Sequence, residues 1–195
     1  MKVGITGGIG SGKSYVCKLL KEHGINVYDC DAAAKRLMRT SEKLKTELES
    51  LIGKEAYTDD DNLNKAVIAQ FLLRSDENAK AIDNIVHPAV AEDFLSSGYD
   101  WMECAILFES GFNQLVDKTI VVTAPTDVRI ERVMNRDNIS EAKAREWIGR
   151  QWEQSEIVKR ADFEITNDGV QSLDEQIDTL LNTHYYIYRQ CNRQF

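Results

Sequence analysis

The sequence predicts an α/β fold in which a five-stranded parallel sheet lies between two layers of helices. Short apolar runs recur along the chain and are bounded by glycine or polar residues, as buried strands are. The first run, residues 2–6, leads through a glycine-rich turn into a helical pattern over residues 14–23, and a second run follows at residues 25–29. Strand, helix and strand in this order indicate a parallel sheet.

Three further apolar runs complete the predicted sheet, and they comprise residues 104–108, 119–123 and 163–166. Residues 127–160 are highly charged and follow a helical period that is interrupted near Asn138. Ser140 is a suitable N-cap for the helix after this interruption. A final helix is expected to start at Ser172, after a turn over residues 167–169.

Residues 32–97 contain no convincing strand. Apolar residues such as Leu44, Leu48 and Leu51 recur there at helical spacing. An acidic turn at residues 59–62 is expected to be a solvated loop rather than a metal site. The sequence therefore predicts one domain, whose parts are a core of residues 1–31, 99–126 and 161–195, a helical insertion of residues 32–98, and a helical lid of residues 127–160.

Composition and charge exclude several classes of protein. Hydrophobic residues make up 43% of the chain and charged residues 29%, as in a globular domain. The net charge of −8 disfavours binding to nucleic acid. No apolar run approaches the roughly 18 residues that span a membrane, and no signal-peptide pattern opens the chain, so a cytoplasmic location is expected. The cysteines are too scattered for a metal or redox motif and are expected to be reduced thiols; they are Cys17, Cys30, Cys104 and Cys191.

Residues 7–14 read Gly-Gly-Ile-Gly-Ser-Gly-Lys-Ser and match the phosphate-binding pattern G-x-x-x-x-G-K-[ST] in full. The glycines allow the backbone to turn tightly and to direct its N–H groups at phosphate oxygens. The helix that follows adds the positive end of its dipole. Lys13 is expected to reach the β- and γ-phosphates of ATP, and the Ser14 hydroxyl to bind Mg²⁺. Because the pattern lies between a predicted strand and a predicted helix, it indicates a nucleotide site rather than a glycine-rich turn without a ligand.

Carboxylates follow two of the predicted strands. Asp29 and Asp31 come after the second strand, and Glu109 comes after the third. Ligands of open α/β sheets bind beyond the carboxyl ends of the strands, so these acids are expected to face the crevice that contains the phosphate loop. Acids there can accept the proton of a nucleophile or hold Mg²⁺ and its waters. Asp31 could instead cap the helix that begins near Ala32.

Arginines recur along one face of the predicted lid helix. Arg129, Arg132 and Arg136 are spaced so that they share this face. Acidic residues are interleaved with them, so most of these arginines could simply form salt bridges on a helix surface. A phosphotransferase with a phosphate loop also needs a mobile arginine that neutralises the transferred phosphoryl group and a lid that excludes water. At least one of Arg132 and Arg136 is expected to have this role.

The chain resembles the dephospho-coenzyme A kinase family over nearly its whole length. The resemblance rests on an ordered set of motifs: residues 5–14, Asp29-Cys30-Asp31, His87-Pro88, Leu107-Phe108-Glu109, Arg132 with Arg136-Asp137, Gln151, Ala161-Asp162 and residues 165–169. The chain departs from the usual pattern at three positions. Arg129 replaces a common glutamine, Tyr15 a common threonine or serine, and Ile157 a common lysine.

The resemblance implies a P-loop fold and a kinase that transfers the γ-phosphoryl group of ATP to the 3′-hydroxyl of dephospho-coenzyme A. This reaction yields ADP and coenzyme A and is the last step of coenzyme A biosynthesis. ATP is the phosphoryl donor, and Mg²⁺ is the implied metal. The resemblance also implies that the insertion of residues 32–98 binds dephospho-coenzyme A.

The implied site residues fall into overlapping groups. The catalytic residues are Asp31, which is the base for the 3′-hydroxyl, with Lys13 and Arg136. Asp29, Asp31, His87 and Glu109 contact the acceptor. Asn167 is implied to lie near the adenine, and Ser14 to bind the metal. The residues implied to contact ATP come from the phosphate loop and from two later segments; they are Gly8, Gly10, Ser11, Gly12, Lys13, Ser14, Tyr15, Arg132 and Asn167.

Other classes of nucleotide-binding protein are weaker alternatives. The nearest is another small-molecule kinase of the same fold, specific for a nucleoside monophosphate or a sugar acid. A GTP-dependent switch normally carries Asn-Lys-x-Asp and Asp-x-x-Gly motifs, and neither is present. A nucleic-acid motor is disfavoured by the acidic net charge of −8. The sequence makes no prediction of oligomeric state.

Overall fold

The computed structural model describes residues 1–60 and 62–191, and for residues 184–191 it describes the backbone alone. The chain divides into two compact units. The first unit consists of Met1–Tyr28 together with the chain from Tyr99 onward, and the second is Asp29–Gly98. The predicted helical insertion of residues 32–98 falls within the second unit.

The strands are β1 (Val3–Thr6), β2 (Val27–Asp29), β3 (Trp101–Glu103), β4 (Lys118–Thr123) and β5 (Phe163–Thr166). They form one five-stranded sheet in the order β2-β3-β1-β4-β5. Strand β1 pairs in parallel with both β3 and β4, and β4 pairs in parallel with β5. The predicted α/β fold with a five-stranded parallel sheet is confirmed.

The predicted third strand is wrong. It was expected over residues 104–108, whereas β3 is Trp101–Glu103 and residues 105–111 form turns. Of the predicted run, Cys104 and Leu107 are buried. The Cys104 N–H donates a hydrogen bond of 2.9 Å to the Ile5 carbonyl of β1, whereas Leu107 lies in the turn and packs on β1, where a Cβ atom at Gly4 would lie 2.9 Å from Leu107 Cδ2. As a consequence Glu103, and not Glu109, ends the strand that pairs with β1.

The helices fall into two groups. Those of the first unit are α1 (Lys13–Glu22), α6 (Thr126–Asp137), α7 (Glu141–Gly149), α8 (Gln154–Arg160) and α9 (Leu173–Cys191), and those of the second unit are α2 (Cys30–Thr40), α3 (Glu42–Ile52), α4 (Lys65–Leu72) and α5 (Asp76–Ser96). The core of the first unit lies between the sheet and α1 and α9. It contains fully buried apolar residues from each, among them Val3, Ile5, Leu20, Ile120, Ile165 and Ile177.

The predicted interruption of the charged helical region is confirmed. Helix α6 ends at Asp137, and Asn138 adopts a left-handed conformation with φ 50°, which asparagine tolerates better than most residues. The Ser140 hydroxyl then accepts a hydrogen bond from the Lys143 N–H and caps α7. The lid segment of residues 127–160 therefore contains three short helices and not one long one.

Asp29 caps the first helix of the second unit. Strand β2 ends at Asp29 and α2 starts at Cys30, so the Asp29 carboxylate accepts a hydrogen bond of 2.8 Å from the Ala32 N–H. The alternative that Asp31 is the cap is therefore wrong. Asp31 lies in the first turn of α2, and its side chain is exposed.

Some smaller predictions concern single side chains. Cys30 and Cys104 are buried and Cys17 is half-buried, each as a thiol, whereas the side chain of Cys191 lies outside the described residues. Asp61 of the predicted acidic loop also lies outside them. Within the described part of the chain, no helix has the length and apolar character needed to cross a membrane.

Candidate active site

The phosphate loop, residues 7–14, connects β1 to α1, and three of its glycines, Gly7, Gly10 and Gly12, have positive φ. Gly10 has φ 80° and Gly12 has φ 88°, and such a backbone strongly favours glycine. Gly12 also has no room for a side chain, since a Cβ atom there would overlap Asn167 Nδ2. Helix α1 begins at Lys13, so its N-terminal N–H groups face the turn as a phosphate cradle requires.

Glu103 joins the two residues that close the phosphate loop. Its Oε1 atom accepts a hydrogen bond of 2.7 Å from Lys13 Nζ and another of 3.1 Å from the Ser14 hydroxyl. The pairing of β3 with β1 places Glu103 opposite Ile5, near the carboxyl end of β1. The side chains of Lys13 and Glu103 are only 13% and 15% exposed, so the ion pair is largely shielded from water.

Sequence reasoning missed Glu103 because the third strand was placed after it. The signal that could have found it is the single acid between Met102 and Cys104, immediately before the apolar run. An acid near the carboxyl end of the strand beside β1 lies at the edge of the sheet where ligands of this fold bind.

The Ser14 hydroxyl and the Glu103 carboxylate could hold a divalent metal ion. Both are oxygen donors, which Mg²⁺ prefers, and they already lie 3.1 Å apart. The described residues contain no cluster of three or more histidine, cysteine or acidic side chains suited to a metal. A site with few protein ligands matches Mg²⁺, which usually binds through one or two side chains together with phosphate oxygens and water.

Two arginines of α6 donate hydrogen bonds to backbone carbonyls of the phosphate loop. Arg129 is 5% exposed, and its Nε donates a hydrogen bond of 3.0 Å to the Ile9 carbonyl. Burial lowers the pKa of the Arg129 guanidinium, and the negative charge of Glu153 acts in the opposite direction. Arg132 donates to the Ser11 carbonyl at 3.3 Å. Arg132 was predicted from the sequence to contact the nucleotide, whereas no role was predicted for Arg129.

Asn167 connects the end of β5 to the same loop. Its Nδ2 donates a hydrogen bond of 2.9 Å to the Ser11 carbonyl, and its Oδ1 accepts one of 3.3 Å from Arg132. The residue is 8% exposed, so its amide is held in a fixed orientation. The Ser11 hydroxyl is buried beside it and has no hydrogen-bond partner within the described residues.

Arg136 lies at the end of α6, away from these contacts. Its Nε and terminal nitrogen donate to the Asp137 carboxylate at 3.1 and 2.7 Å. These hydrogen bonds raise the pKa of Arg136 and lower that of Asp137. The Arg136 side chain is 60% exposed, and the structure does not bring it to the phosphate loop.

The remaining predicted site residues have varied surroundings. Tyr15 is 53% exposed on α1. Both carboxylate oxygens of Glu109 are buried, and the described part of the chain provides no hydrogen-bond partner for them. In the second unit, Asp29 caps α2, Asp31 is exposed, and His87 lies on α5 with its Nε2 3.5 Å from Asp83 Oδ1.

Comparison with known proteins gives one consistent result. The family model for dephospho-CoA kinase matches residues 1–172 of this chain. A dephospho-CoA kinase from Bacteroides fragilis is 41% identical over 188 residues, which cover 93% of this chain and 91% of that protein.

Solved structures agree on the fold. A protein from Thermus thermophilus superimposes with a TM-score of 0.82 at 30% identity and covers 94% of this chain and 97% of its own. A dephospho-CoA kinase from Campylobacter jejuni superimposes with a TM-score of 0.65, covering 93% of this chain and 96% of its own, and its 21% identity supports the fold alone.

The five-stranded parallel sheet and the phosphate loop between β1 and α1 define a P-loop phosphotransferase. Within that class, the chain belongs to the dephospho-coenzyme A kinase family. The predicted family and the predicted activity, phosphorylation of dephospho-coenzyme A by ATP, are confirmed. This family membership decides against the alternatives of a nucleoside monophosphate kinase, a sugar-acid kinase and a nucleotide-dependent switch.

Proposed function

We propose that the chain transfers the γ-phosphoryl group of ATP to the 3′-hydroxyl of dephospho-coenzyme A through the residues described above, with Mg²⁺ as the metal. The observation that carries the proposed site is the contact of Lys13 and Ser14 with the same Glu103 oxygen at the end of the phosphate loop. A phosphate-binding lysine, a metal-binding hydroxyl and an acid on the neighbouring strand are the groups that phosphoryl transfer from ATP requires.

The phosphate loop is the proposed cradle for the triphosphate. Backbone N–H groups of Gly10, Gly12 and Lys13 face the phosphate oxygens, and the N-terminus of α1 adds its positive dipole end. Lys13 exchanges its contact with Glu103 for the β- and γ-phosphates. Its charge is then available in the transition state, when negative charge spreads over the oxygens of the transferred group.

Ser14 and Glu103 are the residues that would hold Mg²⁺. When bound there, the ion supplies positive charge to the phosphates. Glu103 then serves two purposes in turn: it neutralises Lys13 before the nucleotide binds and contributes to the metal site afterwards. Arg132, Asn167 and Tyr15 are proposed to contact the remainder of the nucleotide.

The acceptor is proposed to bind through the insertion of residues 32–98 together with Glu109. Asp31 is the proposed base, because it lies in the first turn of α2, two residues after the end of β2, and its exposed carboxylate is not used to cap α2. The 3′-hydroxyl gives its proton to Asp31, its oxygen forms the new bond to the γ-phosphorus, and the bond from that phosphorus to ADP breaks.

Two other acids and a histidine complete the proposed acceptor site. The buried, unpaired carboxylate of Glu109 is suited to accept hydrogen bonds from a ligand. His87 and Asp29 are assigned by the resemblance, although Asp29 also has a structural role as a helix cap. Arg136 remains the proposed transition-state arginine.

A panel of acceptors tests the proposed function directly. ADP release from ATP should be stimulated strongly by dephospho-coenzyme A and much less by nucleoside monophosphates, shikimate or gluconate. The measurement is the rate of ADP formation at a fixed ATP concentration, with mass spectrometry to identify the phosphorylated product. The proposal would be refuted if any of the other acceptors were turned over equally fast, or if the product were phosphorylated at a position other than the 3′-hydroxyl.

A further inference from the structure

Ile9 differs from its neighbours in the phosphate loop, because it is attached to the lid segment through its N–H group, its carbonyl and its side chain. The loop otherwise consists largely of glycines, which have no side chains that could anchor it. We use the term Ile9 clamp for the contacts of Ile9 with Arg129, with Gln151 and with the apolar cluster of α6 and α7.

The two polar contacts of the clamp use the backbone of Ile9. The Ile9 N–H donates a hydrogen bond of 2.7 Å to Gln151 Oε1, and the Ile9 carbonyl accepts one of 3.0 Å from Arg129 Nε. Arg129 lies in α6, near the start of the lid segment of residues 127–160, and Gln151 lies between α7 and α8. The lid segment therefore binds the backbone of one loop residue at two places that are well separated along the segment.

The apolar contact uses the Ile9 side chain. It packs, partly buried, against a small cluster that is separate from the main core. The members of this cluster come from α6, α7 and the turn between them; they are Ile130, Val133, Ala144, Met134, Ile139, Trp147 and Ile148. Apart from Ile9, this cluster is formed entirely by the lid segment, so its contact with the loop depends on this single side chain.

A loop rich in glycine loses much conformational entropy when it is ordered. If that cost falls at the moment of nucleotide binding, it weakens the affinity for ATP, whereas an ordered loop avoids it. The Ile9 clamp restrains the loop through Ile9, and its two hydrogen bonds use none of the N–H groups of Gly10 to Ser14.

We propose that Ile9 is a positioning residue, and that docking of the lid segment on Ile9 orders the phosphate loop for ATP. Lid docking and ATP binding are then coupled: each favours the other by the same factor. This proposal rests on the proposed function only in requiring that the loop binds ATP, and it is independent of the acceptor.

The first test removes one hydrogen bond of the clamp. Gln151→Met keeps the length of the side chain and removes the oxygen that accepts the Ile9 N–H. One net hydrogen bond corresponds to a change of about 2- to 12-fold, so the Kd for ATP and the KM for ATP should both rise by roughly that factor. The kcat and the KM for the acceptor should change less than about twofold.

Gln154→Met is the matched control. Gln154 belongs to the same lid segment, and its Oε1 accepts a hydrogen bond of 3.3 Å from the Ala124 N–H, which is outside the phosphate loop. The control should leave the affinity for ATP unchanged. An equal loss of ATP affinity in both variants, or a lower melting temperature with normal ATP affinity in Gln151→Met, would overturn the proposal.

The second test examines the side chain of Ile9 with Trp147 as reporter. The chain has three tryptophans, so Trp101→Phe with Trp152→Phe leaves Trp147 alone. In this background Ile9→Ala should shift Trp147 emission to longer wavelength without nucleotide, and ATP should reverse the shift. Ile9→Val, which keeps a branched side chain, should restore most of the original emission and affinity.

The two tests separate the clamp from the proposed acceptor. ATP affinity is measured by calorimetry without acceptor, so it does not depend on turnover of dephospho-coenzyme A. If Ile9→Ala binds ATP more weakly but the unmodified chain does not phosphorylate dephospho-coenzyme A, the proposal for Ile9 stands and the proposed acceptor is refuted. Trp147 emission that is identical in Ile9→Ala and its parent, with or without ATP, would refute the clamp.

Discussion

Glu103 shows how one carboxylate can determine the electrostatics of a phosphate site. It lies within hydrogen-bonding distance of both Lys13 and Ser14, at 2.7 and 3.1 Å. Removing its charge while keeping its shape separates the proposed metal role from packing. A glutamine at this position can still accept a hydrogen bond from Lys13 but binds a divalent cation poorly.

We therefore expect Glu103→Gln to raise the concentration of Mg²⁺ needed for half-maximal activity by at least about tenfold, because even groups that only support the ligands of a metal typically contribute about 10- to 100-fold to metal affinity. The measurement is a titration of activity with Mg²⁺ at saturating ATP. Glu131→Gln, on the exposed face of α6, is the control. An unchanged Mg²⁺ requirement in Glu103→Gln would show that Glu103 serves only as the partner of Lys13.

Asp29 and Asp31 are two positions apart but have different surroundings, which makes their roles separable. Asp31→Asn cannot take the proton of the 3′-hydroxyl, so kcat should fall by about 10²- to 10⁴-fold with little change in melting temperature. Asp29→Asn keeps the cap of α2 and should be milder, whereas Asp29→Ala should lose about 0.5–2 kcal/mol of stability. Turnover and thermal unfolding of the three variants decide the assignment. Near-normal kcat in Asp31→Asn would contradict it.

At the scale of elements, helix α6 presents its arginines to different partners along its length. Arg129 and Arg132, in its first two turns, contact the phosphate loop, whereas Arg136 in the last turn pairs with Asp137. A surface ion pair of this kind contributes little to stability, because water and salt screen the two charges. Its release would therefore cost little when a phosphoryl group offers Arg136 a stronger partner.

The corresponding prediction compares arginines of the lid segment. If Arg136 is the transition-state arginine, Arg136→Ala should lower kcat by about 10³- to 10⁵-fold, and Arg132→Ala should mainly raise the KM for ATP. Arg145→Ala is the control, because Arg145 is 60% exposed and pairs with Glu141 on α7. A loss of less than tenfold in Arg136→Ala, with a large loss of kcat in Arg132→Ala, would move the role to Arg132.

Asp162 connects β4 to the start of β5. Its carboxylate accepts hydrogen bonds from Lys118 Nζ at 2.6 Å and from the N–H and hydroxyl of Thr119 at 2.8 and 2.9 Å. Burial acts to raise the pKa of Asp162, but the hydrogen bonds from Lys118 and Thr119 outweigh it and lower this pKa. The ionised carboxylate is therefore favoured in the folded chain.

The stability that the Asp162 carboxylate contributes to the folded chain should depend on pH. Because the folded pKa is lowered, the stabilisation is complete above the pKa of the unfolded chain, near about 3.9, and is lost as the pH falls through the folded value. Because Asp162 is partly exposed and solvent screens its charge, Asp162→Asn should be less stable by roughly 0.5–1.5 kcal/mol at pH 7, and the difference should shrink below about pH 4. Urea unfolding of both proteins at pH 7, 5 and 3 measures this. A difference that stays constant down to pH 3 would contradict it.

For the molecule as a whole, the sequence predicts the sheet well except at β3. The residues of β1, β4 and β5 are apolar and clearly bounded, and their predicted positions agree with the structure to within one residue at each end. Strand β3 contains Glu103, whereas the more apolar run after it is buried in a turn over Gly4. Apolar composition predicts burial reliably, but it does not distinguish a paired strand from a turn packed on a neighbouring strand.

The candidate site was predictable where a residue acts through local backbone geometry. The phosphate loop follows from eight consecutive residues, 7–14, whose pattern has a direct physical meaning. Helix periodicity places Arg129, Arg132 and Arg136 on one face but cannot tell which of them reach the loop. The contact between Ile9 and Gln151 joins residues 142 positions apart, and no local pattern encodes it.

The ion pair of Lys13 with Glu103 also affects which ligands the cradle admits. An anion that arrives alone, such as inorganic phosphate or sulfate, must displace the Glu103 carboxylate from Lys13 and then remain close to that uncompensated negative charge. A nucleotide that arrives with its own cation brings a replacement partner for the carboxylate. The closed ion pair therefore acts as a filter, which we expect to keep abundant small anions out of the cradle while admitting a nucleotide complexed with metal.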